Sequence, residues 1–337
     1  MRSRLHIFVL LAALGLAACG EAPAPIDAAP VGETLLLEGG ITRLDLRFPC
    51  GTDTCAGWLY LPASEIRPPV AILGSGFAGT RDVGLSYFAE RIARAGVAAF
   101  AFDYRHFGAS GGAPRQLVDA PGQLEDWRSA IAFMRTRGDV DATRLALWGT
   151  SLGAGHVLIT AAADGKIVAI VGQVPLIDSG AEGEASFPGV WWAVKLVLTG
   201  WSDLLSTAFG GEVVTMPAIA PSGGFGMIVD DAAYASYRKI AGRGTTYRNA
   251  VAARSPFTFD DYNPRDHVDA IAAPILLIAA RGDRFAPFSA VAAYAARAPN
   301  VTLETFEGDH FDVYSPPASE FAAETAAAFL KARLSAP

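Results

Sequence analysis

From residue 69 onward the apolar residues come in short continuous runs, separated by stretches of helical spacing. Pro69–Leu73, Val97–Phe102, Arg144–Trp148, Ile167–Val171, Ile275–Ala280 and Val301–Phe306 read as strands. Most of these runs lack polar alternation, which suits strands covered on both faces, as in a parallel sheet between helices. Leu85–Ala95, Gln123–Arg137, Leu152–Ala162, Phe288–Arg297 and Ser319–Arg333 read as the intervening helices. This alternation predicts the α/β class with a mostly parallel sheet. Upstream, Ile41–Phe48 and Trp58–Leu61 read as the arms of a hairpin. One stretch breaks the rhythm. Residues from about 175 to 263 are too many for a loop in a compact sheet. Trp191, Trp192, Leu196, Leu198 and Trp201 make the segment apolar, so it is expected to form an inserted helical cap. Those side chains either pack the cap or line an acyl pocket.

The N-terminus follows a different pattern. Arg2 and Arg4 precede an apolar stretch, Leu5 to Ala18, that is too short for a spanning helix and suits a secretory signal peptide. Leu16-Ala17-Ala18-Cys19 resembles the lipobox of bacterial lipoproteins, which implies cleavage after residue 18 and lipid attachment at Cys19. Gly20 in place of Asp implies, in the sorting pattern this resembles, the outer membrane of a Gram-negative cell. Pro23, Pro25 and Pro30 mark a tether, taken to run over residues 19–40, with the folded domain at 41–337. Export would put the other two of the three cysteines, Cys50 and Cys55, in an oxidising space, where a disulfide is expected across the hairpin end.

Composition narrows the function classes. The 337 residues are 51% hydrophobic and 18% charged, enough for a large core. A net charge of -7 argues against nucleic acid as a partner. No metal-ligand spacing and no cofactor site is expected.

Two glycine-rich motifs carry candidate chemistry. Gly74-Ser75-Gly76-Phe77-Ala78-Gly79 follows a strand, and Asp103 ends the next one, which is the outline of a dinucleotide site. Against that reading, Thr80–Gly84 intervene before helical spacing begins, whereas the pyrophosphate needs a helix N-terminus at the third glycine. The second motif, G-x-S-x-G, occurs at Gly108–Gly112 and at Gly149–Gly153. Only the latter has a strand before it and a helix after it, the context that lifts a serine hydroxyl above a sheet. Ser151 is therefore the candidate nucleophile, and Ser110 a loop serine.

A serine nucleophile needs a base and an orienting carboxylate. His310 follows the last predicted strand and is the candidate base. Asp283 follows the strand before it and is the candidate acid, with Asp178 as its rival. Asp309 adjoins His310, but its side chain should diverge from the ring. His156 falls within a helix, His106 in a loop that can line the cleft, and His267 near the rim.

With the order Ser151, Asp283, His310, the chain resembles the α/β-hydrolase superfamily from about residue 42 to the C-terminus, with the insertion less covered. It is most similar to the dienelactone-hydrolase and serine-aminopeptidase-like branches. Phe102–Arg105, Phe107–Gly112, Pro114–Gln116 and Asp126-Trp127 also carry the likeness. The resemblance implies that Leu73–Phe77 is the oxyanion loop, with Ser75 where His is usual, and that the amides of Phe77 and Leu152 hold the oxyanion. It implies an ester hydrolase acting on a small acyl substrate. Exopeptidase, thioesterase and acyltransferase activities share this machinery. A dinucleotide-dependent oxidoreductase and a non-enzymatic surface binding protein are the alternatives from other classes.

Overall fold

A computed structural model describes residues 32–178, 189–242 and 244–335. The segment expected to be a signal peptide, Cys19 and most of the expected tether lie outside the described residues. Nine strands form one sheet: β1 (Thr34–Leu36), β2 (Thr42–Cys50), β3 (Asp53–Leu61), β4 (Pro69–Gly74), β5 (Ala98–Asp103), β6 (Asp141–Thr150), β7 (Ala169–Gln173), β8 (Ile275–Ala280) and β9 (Val301–Phe306). Their order is β1-β2-β3-β5-β4-β6-β7-β8-β9. Strands β4 to β9 are mutually parallel, and β1, β2 and β3 extend one edge in antiparallel fashion.

The burial pattern explains the two strand types. Every residue of β4, β5, β7 and β8 is buried, as a sheet covered on both faces requires. In β2, Leu46, Phe48 and Cys50 are buried while Arg47 and Pro49 are exposed, the alternation of a one-sided strand. Alternate residues of the central strands feed two cores. Ala71, Leu73, Ala99, Ala101 and Trp148 pack beneath α1 (Leu85–Arg94) and the C-terminal helix Ala318–Leu334. Val70, Ile72, Phe100, Phe102 and Leu147 pack beneath α2 (Ala120–Thr136) and α3 (Leu152–Ala163).

Two expectations change. The tether does not extend to residue 40, because Thr34–Leu36 pairs with Thr42–Leu44 as an edge strand. Edge pairing depends on backbone hydrogen bonds, so this strand needs no apolar run to announce it. The insertion is also not wholly helical. Between β7 and β8 lie α4 (Val190–Ala208) and α5 (Asp231–Ala241). They are joined by two pairs of two-residue strands, Thr215–Met216 with Val251–Ala252 and Ile219–Ala220 with Ile228–Val229. Strands this short fall below any detectable sequence period.

The chain runs from β4 to β5 on one side and then returns to place β6 on the other. Ligands of open α/β sheets bind at such a reversal, beyond the carboxyl ends of the strands. The loops after β4 and β6 meet there.

Candidate active site

The site is built from that meeting point outward. Ser151 stands between β6 and α3 with φ 56° and ψ -121°, a strained conformation for a residue with a side chain. The surrounding glycines allow it. A Cβ on Gly149 would lie 2.2 Å from the Gly153 carbonyl oxygen, and one on Gly153 would lie 2.4 Å from that of Ser75. Glycine at both positions lets the turn close against the loop after β4.

His310 and Asp283 come to this serine from the loops after β9 and β8. His310 Nε2 is 3.0 Å from Ser151 Oγ, and His310 Nδ1 is 2.7 Å from Asp283 Oδ2. The other carboxylate oxygen, Oδ1, accepts the amides of Phe285 at 2.9 Å and Ala286 at 2.7 Å. The acid is thus fixed in place and buried, at 8% exposure, beside a base at 4%. With the carboxylate accepting at Nδ1, the neutral ring carries its proton there and presents a lone pair at Nε2 to the hydroxyl.

Sequence reasoning missed a clamp around this pair. Arg284 Nη2 donates to Asp309 Oδ2 at 2.6 Å, and Nη1 donates to Asp230 Oδ2 at 2.7 Å. Asp309 Oδ1 in turn accepts the His310 amide at 2.7 Å, so its side chain turns away from the imidazole as expected. Asp230 caps α5 by accepting from Ala233 N at 2.8 Å. One guanidinium therefore ties the acid's loop, the base's loop and the insertion together. The two carboxylates raise its pKa further above the ordinary arginine value. The only sequence signal was that Arg284 and Asp309 each adjoin a candidate residue.

The loop after β4 is held without the usual histidine. Ser75 Oγ donates to the Gly79 carbonyl at 2.9 Å, and Tyr104 OH donates to the Ser75 carbonyl at 3.3 Å. Trp127 Nε1 donates to Tyr104 OH at 2.9 Å. Phe77 and Leu152 flank Ser151. As the first residue of α3, Leu152 has an N–H with no partner inside the helix.

The remaining candidates have other duties. Asp178 pairs with Arg265 rather than with His310. Ser110 Oγ donates to the Asp103 carbonyl at 2.6 Å and accepts the Ala56 amide at 2.8 Å, joining its loop to the sheet. His106 is buried beneath Gly112 and is absent from the cavity lining, contrary to expectation. His156 is fully buried, with Nε2 2.9 Å from Gln123 Oε1 and Nδ1 3.0 Å from Tyr262 OH. Burial lowers its pKa to about 3, so the ring stays neutral. His267 lies in the 3₁₀ segment Pro264–Ala270. The dinucleotide reading fails on geometry. The helix after Gly79 begins only at Leu85, and the Asp103 carboxylate accepts Arg81 N at 2.7 Å and is buried. Among the described residues, the one group with metal-like spacing is Cys50, Cys55 and Asp126. There the two sulfurs lie at bonding distance from each other, with Cα atoms 5.7 Å apart.

Two apolar cavities open on Ser151. The narrower, of about 70 Å³, is lined by Ile219, Tyr237, Ile240, Phe311 and Tyr314. The wider, of about 310 Å³, is lined by Leu176, Trp192, Met227 and Phe259. Phe77, Ile228, Phe285 and His310 border both. Burial raises the pKa of Tyr237 and pushes that of Tyr314 up to about 12, so both phenols remain neutral.

Residues 71–325 match the model of the alpha/beta hydrolase family. The chain belongs to that family. Over 288 residues it is 35% identical to the quorum-quenching protein AidA of Acinetobacter baumannii (strain MDR-ZJ06), covering 86% of this chain and 94% of AidA. It is 28% identical to a thiohydrolase of Eupenicillium brefeldianum, over 82% of this chain and 90% of that protein. Among solved structures, alpha/beta hydrolase GrgF from Penicillium sp. sh18 superposes with a TM-score of 0.74. At 23% identity, over 87% of this chain and 99% of that one, this likeness concerns the fold.

Proposed function

We propose that this hydrolase cleaves carboxylic esters through an acyl-enzyme on Ser151. The observation that carries the reading is the hydrogen-bonded line from Asp283 through His310 to Ser151, at 2.7 and 3.0 Å. Ser151 Oγ attacks the ester carbonyl as His310 Nε2 takes its proton. Asp283 holds the ring by its Nδ1–H and stabilises the imidazolium. The Phe77 and Leu152 amides receive the oxyanion, and such donors contribute roughly 3 kcal/mol each to the transition state. Collapse of the tetrahedral intermediate expels the alcohol, which takes the proton from His310. Water then repeats the sequence in reverse roles and frees the acid. The apolar cavities on either side of Ser151 favour substrates with a hydrocarbon group.

Thioester cleavage is the second reading, motivated by the thiohydrolase among the relatives. Export and lipid attachment at Cys19 belong to the same proposal. The Cys50–Cys55 pairing supports it, because disulfides persist in oxidising compartments.

The test is active-site labelling with a fluorophosphonate, followed by turnover of matched p-nitrophenyl esters and acyl thioesters. Labelling of the native chain but not of Ser151→Ala is expected, with faster turnover of the esters. Equal labelling of both chains would remove Ser151 from its role.

A further inference from the structure

Helix α4 is apolar on both of its long faces, and among the described residues only one is covered. On the inner face, Trp192 Nε1 donates to the Gly226 carbonyl at 2.9 Å, and Gly200 lies against Phe257. The buried Asp203 accepts Arg254 Nε at 2.6 Å. The outer face meets solvent. Eight of the ten large apolar side chains exposed among the described residues lie on this helix or at its C-cap, so the exposure is a single patch. Trp191 is 85% exposed, Leu198 64%, Trp201 54% and Phe209 88%. Trp191, Val194, Leu198, Trp201 and Leu205 follow the three-to-four spacing of one helical face. Lys195 is the helix's sole exposed charge. A continuous apolar face of this kind marks an interaction surface.

We propose that α4 lies in the surface of a lipid bilayer, parallel to its plane. The helix is not long and apolar enough to cross. Its tryptophans suit the boundary between acyl chains and headgroups, where indole rings settle. The chain outside the described residues supplies the proximity. Cys19 stands thirteen positions before Gly32, a reach of at most about 45 Å. A domain of this size has a radius of gyration of about 19 Å, so the tether is comparable to its diameter. An anchor at Cys19, or the apolar Leu5–Ala18 if retained, keeps the domain at the membrane while leaving it free to turn. The most apolar face then decides the orientation. Trp192, on the opposite, inner side of the same helix, lines the wider cavity beside Ser151, so docking of the outer face brings that cavity within about a helix diameter of the bilayer. On the hydrolase reading, docking holds Ser151 near a bilayer-borne acyl substrate.

The test uses the exported full chain on phosphatidylcholine vesicles whose acyl chains carry bromine, which quenches nearby indoles. Two of the six tryptophans, Trp191 and Trp201, sit on the exposed face, so quenching of about a third of the emission is expected. Trp191→Phe/Trp201→Phe should abolish it. Trp191→Ser/Leu198→Ser should remove the quenching of Trp201. It should also slow cleavage of a vesicle-borne ester by at least about fivefold, with the p-nitrophenyl acetate rate in solution unchanged. Absence of quenching in the native chain overturns the proposal. So does a vesicle-free dimer that Trp191→Ser/Leu198→Ser converts to monomer, since a second copy would then cover the patch. Quenching does not depend on turnover, so a quenched but inactive chain supports the docking and refutes the hydrolase reading alone.

Discussion

Acidification should expose the cost of burying His156. The ring is fully buried behind the Ser151 turn, between Gln123 and Tyr262, and its pKa is lowered to about 3 by desolvation. In the unfolded chain an imidazole titrates near 6.5. Between those values the unfolded state binds the additional proton, so this group's contribution to stability is lost as pH falls through the window. From pH 7.0 to 4.5 the loss amounts to about 2.5 kcal/mol. His156→Gln keeps a side-chain amide that can both donate and accept beside Gln123 and Tyr262 but cannot take up the proton. Urea unfolding of both proteins at the two pH values isolates the effect, since the other titrating groups cancel in the comparison. The native chain is expected to lose about 2.5 kcal/mol more than His156→Gln over this range. Equal losses would mean that the ring charges within the folded protein, and the account of a neutral histidine supporting the turn would fail.

Other outcomes follow from the site. Asp283→Asn is expected to lower ester turnover by about 10⁴-fold, since an amide cannot hold the same tautomer, while Asp178→Asn has little effect; the reverse pattern in steady-state rates would move the acid to the loop after β7. Ser110→Ala should keep native kcat and lose about 1–3 kcal/mol in urea unfolding by leaving the buried Ala56 amide unsatisfied, whereas a silent stability with lost turnover would contradict its structural role. Arg284→Met should cut kcat about tenfold with KM little changed, and Arg284→Lys should recover only part, because an ammonium cannot fork to Asp309 and Asp230; full recovery by lysine would reduce the clamp to its charge. Cys19→Ser should move the exported protein from the membrane fraction to the carbonate-soluble one, read by immunoblot.

Local pattern was sufficient for much of this protein. The strand before Ser151, the glycines at positions 149 and 153 and the helix after it are neighbours in sequence, so one motif specified one turn. The apolar runs of β4, β5, β7 and β8 declared a sheet covered on both faces, and with the strand that follows β8 they marked the loops where Asp283 and His310 belong. The rest required sequence-distant partners. Asp283 and Asp178 each follow a strand, and only the fold shows that one meets His310 while the other meets Arg265. Ser75 was an unexplained departure until its hydroxyl was seen on the Gly79 carbonyl. The edge strand Thr34–Leu36, the two-residue strands of the insertion and the Arg284 clamp left almost no mark, because none rests on a hydrophobic period. Periodicity records which side of an element avoids water, and the sequence alone determined that much. Which surfaces then meet, and which apolar face of α4 stays uncovered, depends on contacts between segments far apart in the chain, and those were decided by the tertiary structure.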